Sequence, residues 1–314
     1  MEIKTKDFFM KQNHMRKILI SLIPIILGAI YFFGWRTLVL MSVVTSFGIL
    51  TEYAFKRKRN QPVSEAVIVT SILFTLTLPV SIPFWVAIVG IIFGVIFATE
   101  VFGGYGFNVF NPALVARTFL YICFPQYITV AWNAPSAGFP GGFASYITPA
   151  IETITQATPL KQTVPISQLF WGNVSGSMGE TSAFLIMIAA IILLVTKAID
   201  WQLLLSPLVG FIGMSAVSIL IAPAKAPSIQ YGLLSGAFLM LAVFFVTDGS
   251  TAPKTVEGKW IYGILIGTIT VIIRVFGIFV GGAMFAVLIM NTFVPIMDEG
   301  IKYLKEQQRK QVSL

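Results

Sequence analysis

Residues 84–117 read FWVAIVGIIFGVIFATEVFGGYGFNVFNPALVAR, and this stretch decides the fold class. The run from Phe84 to Thr99 carries no charge and, as a helix rising about 1.5 Å per residue, crosses most of a bilayer core about 30 Å thick. Glu100, the turn Gly103-Gly104-Tyr105-Gly106 and the pair Asn111-Pro112 interrupt it, and a second apolar run follows with Arg117 inside it. Irregular backbone at membrane depth survives only where protein or a water-filled cavity satisfies its amides. A nucleotide-binding turn is excluded, because the glycines lack the full G-x-G-x-x-G spacing and no strand context surrounds them.

The same character extends both ways along the chain. Hydrophobic residues make up 56% of the 314 and charged residues 11%, against roughly 25% charged in a soluble domain. Apolar runs fall at 17–35, 37–55, 64–80, 84–101, 109–125, 182–197, 201–221, 231–247, 260–278 and 280–297. The expected fold is an all-α polytopic membrane protein of about ten transmembrane helices. Pro79, Pro83 and Pro112 mark places where a helix breaks. The first run follows Lys11, Arg16 and Lys17 but is too long for a signal h-region and lacks a cleavage site, so it reads as a span.

A second polar break, Thr247-Asp248-Gly249-Ser250-Thr251-Ala252-Pro253, is followed by Gly281-Gly282, Asn291 and Pro295. Interrupted spans in corresponding places point to two inverted repeats around a central site. One membrane domain over 1–314 is expected. Its parts are a first repeat at about 17–125, a long extracytoplasmic loop at 126–181, a second repeat at 182–298 and a basic tail at 299–314.

Basic residues orient the protein. They gather before the first span, at Lys56-Arg57-Lys58-Arg59, at Lys254 and Lys259, and in the tail, all on one side of a ten-span chain. The positive-inside rule makes that side cytoplasmic. The net charge of +8 therefore reflects topology rather than nucleic-acid binding.

A single cysteine and a single histidine exclude an iron–sulfur cluster or a Cys/His zinc site from this chain alone. Cys123 reads as a buried packing thiol and His14 as a solvated tail residue. No P-loop, zinc-protease or nucleophile-elbow motif is present. Arg117, inside a span, is costly unless paired or functional; it binds a phosphate or a flavin carbonyl, or pairs with Glu100. Arg274 is expected to snorkel to the outer interface. Glu52, Glu65, Glu100, Glu180 and Asp248 lie at or near span ends. The segment Gly176–Ser182 reads as a capped helix N-terminus. The outer loop is rich in proline, glycine and aromatics, which suits either a packed cap or an interfacial belt.

Five blocks then match a known family in order: Phe102–Arg117, Ala157–Leu160, Gly179–Ala183, Thr247–Pro253 and Phe285–Asp298. The chain resembles the membrane subunits that include the D-type subunit of the Rnf ion-translocating ferredoxin:NAD+ oxidoreductase complex. The homologous B-type subunit of the Na+-translocating NADH:quinone oxidoreductase belongs to the same group. That family attaches FMN by a phosphoester to a threonine in a motif close to Asp-x-x-Ser-Gly-Ala-Thr. Here Glu152, Thr155 and Gln156 replace three motif residues, while Ala157 and Thr158 are retained, so the resemblance assigns the covalent FMN to Thr158. It also implies a non-covalent riboflavin, flavin contacts from Arg117, Asn111 and Thr181, and no bound metal. Implied partners are a second covalent-FMN subunit, two small membrane subunits, cytoplasmic iron–sulfur and NADH-handling subunits, and a flavin transferase. The implied function is electron transfer between ferredoxin and NAD+ in a bacterial or archaeal cytoplasmic membrane, coupled to Na+ or H+ movement. A quinone-reducing pump subunit and a channel-like transporter without redox work are the alternatives.

Overall fold

The computed structural model describes residues 8–129, 132–136, 138–144, 146, 164–277 and 281–312. Apolar composition and backbone self-satisfaction make the described residues mostly helical, as a bilayer requires. A two-residue strand β1 (Phe9–Met10) pairs parallel with β2 (Val63–Ser64). Between them run α1 (Asn13–Phe33) and α2 (Arg36–Lys58), and α3 (Ala66–Leu76) follows. Next come α4 (Phe84–Val95), extended by a π-helical turn at Ile96–Glu100, then α5 (Pro112–Cys123) and the short α6 (Pro125–Ile128). After the long connection come α7 (Ile166–Trp171), α8 (Ala183–Val195) and α9 (Trp201–Ile221). The chain ends with α10 (Ile229–Leu234), α11 (Phe238–Met240), a π-helical turn at Leu241–Phe245, α12 (Val256–Phe276) and α13 (Gly282–Val312).

Among the described residues five helices, α1, α2, α9, α12 and α13, are each long and apolar enough to cross a membrane, and shorter apolar helices lie in the expected spans 64–80, 84–101, 109–125 and 182–197. The structure is a polytopic all-α membrane protein. The break at 103–111 is real, the stretch 247–253 does separate a π turn from α12, and a further break at 235–237 divides a span expected to be continuous. α4 ends in its π turn before the glycine loop, where Gly103, Gly104 and Gly106 take φ of 114°, 108° and 94°. The span expected at 231–247 is split at Ser235-Gly236-Ala237 and also ends in a π turn. The basic tail is not a separate segment: α13 runs on through it, because Glu299, Lys302, Lys305 and Arg309 suit an exposed helix and Lys305 reaches Glu257 at 2.7 Å.

Polar contacts sort the molecule into two ends. At the basic end, Arg16 meets Glu65 at 2.6 Å, Arg59 meets Glu100 at 2.9 Å, Lys17 donates to the Thr196 carbonyl and Lys259 meets Asp200 at 2.7 Å. At the opposite end, the connection after α6 packs on the α1–α2 turn. There Ser136 N donates to the Phe32 carbonyl at 2.8 Å and Trp35 Nε1 to that of Phe143 at 3.0 Å. Trp132 is buried there, whereas Phe139, Phe143 and Trp171 are exposed, as an interfacial belt would have them.

Close approach without a hydrophobic drive needs small residues. Gly263 and Gly267 lie four apart on α12 and face Gly210 on α9; an added methyl would collide with Ser206 at Gly263 and with Pro207 at Gly267. Gly267→Leu is expected to destabilise the fold by about 2 kcal/mol through overpacking, read as a lower thermal midpoint in detergent. At the basic end, the Arg16 guanidinium and the Gln12 amide hold the Glu65 carboxylate below its ordinary value of 4.5. A depressed carboxylate stabilises the fold above its unfolded pKa, and the benefit fades as pH falls through the folded value. Glu65→Gln should lower the midpoint at neutral pH and flatten its decline in acid.

Candidate functional site

Asn111 organises the basic end. Its Oδ1 accepts from the Ala113 and Leu114 amides at 3.1 and 3.3 Å, capping α5 with Pro112 in the first turn. Its Nδ2 donates to Asp248 Oδ2 at 2.8 Å, 137 residues away. Asp248 also accepts from the Ser250 amide and hydroxyl at 3.0 and 2.8 Å. Asn291 on α13 completes the join: it accepts from the Asn111 amide at 3.4 Å and donates to Tyr262 Oη at 2.8 Å. Around this join lies a cavity of about 50 Å³, lined by Glu52, Thr70, Thr99, Asn108, Asn111 and Asp248 among others.

Arg117 and Thr181 belong to a different place. Arg117 lies six residues along α5, about 9 Å of helix rise from Asn111. The expected Arg117–Glu100 pair does not form: Glu100 is fully buried at the basic end and is held by Arg59. The carboxylate within electrostatic reach of Arg117 is Glu180, which also reaches Arg274. Arg274 does not snorkel outward. Its guanidinium donates to the carbonyls of Gly232 and Gly236, satisfying the backbone freed where α10 and α11 part. Glu180 is fixed by the Ser177 amide at 3.0 Å, on a strap whose Met178 and Gly179 amides donate to the carbonyls of Leu78 and Leu76 at the end of α3. Ser182 caps α8, accepting from Leu185 N at 3.3 Å, as expected for this segment.

This second place holds an uncommon number of orphans. Arg117 Nε, Thr118 Oγ1, Ser177 Oγ, Glu180 Oε2, Ser235 Oγ and Arg274 Nε are buried with no hydrogen-bond partner among the described residues. Buried polar atoms are normally satisfied, so such a group calls for a polar occupant or water. A small recess lined by Glu180, Thr181, Ser235 and Gly236 adjoins them. Thr158 lies outside the described residues. The described flanks of its segment lie at this same end: Val164 and Leu169 pack with Tyr231 and Leu234.

Other expectations change. Cys123 is exposed rather than buried, because it ends α5 where the helix leaves the core. His14 is exposed but lies in the first turn of α1. Glu52 is nearly fully buried, not an interfacial carboxylate. Among the described residues no cluster of three or more His, Cys, Asp or Glu could hold a metal ion.

Two buried polar places, one at each end of a mainly apolar helical bundle, mark the interior of a polytopic membrane protein. The chain belongs to the NQR2, RnfD, RnfE family, whose model matches residues 5–305. Members are membrane subunits of ion-translocating electron-transport complexes. The chain is 37% identical over 280 residues to the B-type subunit of the Na(+)-translocating NADH-quinone reductase of Ectopseudomonas mendocina, covering 86% of this chain and 67% of the relative. Its counterpart in Haemophilus influenzae is 35% identical over 280 residues, covering 87% of this chain and 67% of the relative.

Asn291→Ala should cost about 2 kcal/mol, since Tyr262 Oη and the Asn111 amide lose their buried partner. The thermal midpoint of the purified protein measures it.

Proposed function

We propose that this chain carries electrons on bound flavin within an ion-translocating membrane complex and is not catalytic alone. The orphan cluster of Arg117, Ser177, Glu180, Ser235 and Arg274 is the observation that carries this reading. An FMN esterified to Thr158 is held there by Arg117 and Thr181, with the Ser177 and Ser235 hydroxyls as further donors. The mixed sign of the cluster suits a group with both acceptor and donor edges. At the basic end, Asn111, Asn108 and Thr99 line the recess assigned to a non-covalent riboflavin. Bound flavin supplies reversible one- and two-electron chemistry, and the protein sets its position and potential.

The basic end is cytoplasmic and the Thr158 segment extracytoplasmic, so electrons pass between the two faces of a bacterial or archaeal inner membrane. The partners are the second covalent-FMN subunit, two small membrane subunits and the cytoplasmic iron–sulfur and NADH-handling subunits. Electrons pass between ferredoxin and NAD+, with Na+ or H+ moved. A quinone-reducing role is the second reading, favoured by the names of the relatives. Turnover of the complex with ferredoxin against quinone separates the two.

On a denaturing gel under ultraviolet light, the chain expressed with its flavin transferase should fluoresce, and Thr158→Ala should be dark. A dark native band would overturn the covalent-flavin assignment.

A further inference from the structure

At the end opposite the basic one, α10 is a short element bounded by breaks on both sides. Pro223 and Pro227 lie in the connection before it, and Ser235-Gly236-Ala237 follow it. Gly236 and Ala237 both take positive φ, 68° and 62°. That conformation is free for glycine but strained for alanine, and such strain persists only where the surroundings hold it. Arg274 is the holder, donating to the Gly232 and Gly236 carbonyls. A methyl added at Gly236 would meet Arg274 Nη2 at 2.8 Å, so the grip needs glycine there.

Protein interiors hold few voids, yet α10 has one on each face. On one side Ser215, Ser218, Pro227, Gly232 and Arg274 line a hole of about 10 Å³. On the other, Glu180, Thr181, Leu234, Ser235 and Gly236 line a second of about 10 Å³. Each is close to the least volume that holds a water molecule. Ser218 and Ser235, 0% and 2% exposed, leave a hydroxyl unpaired on each side among the described residues. The cover of the second hole is apolar and small: Leu169 and Val174 pack with Tyr231, apart from the main core, with Val164 and Leu234 beside them. A seam of so few buried side chains opens far more readily than the core does.

We infer that α10 is a gate over the buried polar cluster of Glu180, Ser235 and Arg274. It opens by rotation at Gly236-Ala237, which parts the seam between Leu169 and Tyr231 and turns Ser235 and Glu180 toward extracytoplasmic water. It closes when the Gly232 and Gly236 carbonyls return to Arg274. The voids on both faces leave room for the movement, and relief of the strain at Ala237 offsets part of the lost Arg274 bonds. Only hydrogen bonds and apolar contacts are exchanged. What the gate serves rests on the flavin reading above: it decides when the occupant of the cluster meets water or a redox group from outside. The movement itself does not require flavin.

Thiol labelling of the full chain in its complex tests the gate. Ser235→Cys is introduced together with Cys123→Ala, which removes the chain's one cysteine. A membrane-impermeant methanethiosulfonate is added from the extracytoplasmic side, and label on this chain is read by mass spectrometry. The cysteine should label, but at least tenfold more slowly than Lys225→Cys on the exposed turn before α10. Leu169→Ala should speed labelling several-fold. Ala237→Gly, which removes the strain of the closed form, should slow it several-fold. No label, label at the Lys225→Cys rate, or rates indifferent to both substitutions would overturn the inference. Hydrogen exchange of the unsubstituted complex gives a second reading. The Gly232 and Ser235 amides, which donate to the Ser228 and Tyr231 carbonyls, should exchange at least tenfold faster than amides in the middle of α12, and equal protection would also overturn it. Labelling in a Thr158→Ala background reads the gate with no flavin attached, so failure of the gate and failure of the flavin assignment are told apart.

Discussion

The hydrogen bond from Asn111 to Asp248 is the contact on which the interior depends. Asn111 ends the glycine loop and starts α5, so its position fixes where the first half of the chain re-enters the bundle. Asp248 follows the π turn of the second half, and its acceptance from Asn111 at 2.8 Å locks the two polar breaks face to face. Asn291 and Tyr262 extend the join onto α13 and α12. In an apolar medium each of these groups would be costly alone, and together they satisfy one another. The cavity beside them is the space left where two interrupted helices meet.

Arginine does the corresponding work away from the basic end. Arg36 donates to the carbonyls of Val80 and Ile82 at 2.8 and 3.0 Å, where the chain unwinds after α3. Arg274 does the same for the break between α10 and α11. Five donors in a rigid fork allow one side chain to quench several freed carbonyls. Arg117 differs: among the described residues its guanidinium donates to no carbonyl, although it shares an orphan Nε and the reach of Glu180 with Arg274. That difference separates a group set for a ligand from groups that hold the backbone.

The spans are legible in the sequence because their signal is local: an uncharged run of membrane length needs no tertiary information. Both breaks are legible too, since glycine, asparagine and proline interrupt helices for local steric reasons. What the chain pairs across long separations is not. Arg117 and Glu100 read as partners because they are 17 positions apart on neighbouring spans, yet Arg59, after a different helix, takes Glu100. Asn111, Arg117 and Thr181 are all given as flavin contacts by the resemblance, and helix rise alone puts Asn111 at one end and Arg117 well along α5. Glu52 reads only as an acid near a span end, because its burial comes from the packing of β2 and the loops over it. Ser177, Ser235 and Asn291 carry no sequence sign of which atoms would be left unpaired.

Flavin stoichiometry of the purified chain tests the central claim most directly. Absorbance of the native protein should give two flavins per chain. After acid precipitation, one should remain with the polypeptide and the other should appear in the supernatant. A colourless protein, from a host that carries the flavin transferase, would contradict the assignment of this chain as a flavin-borne electron carrier.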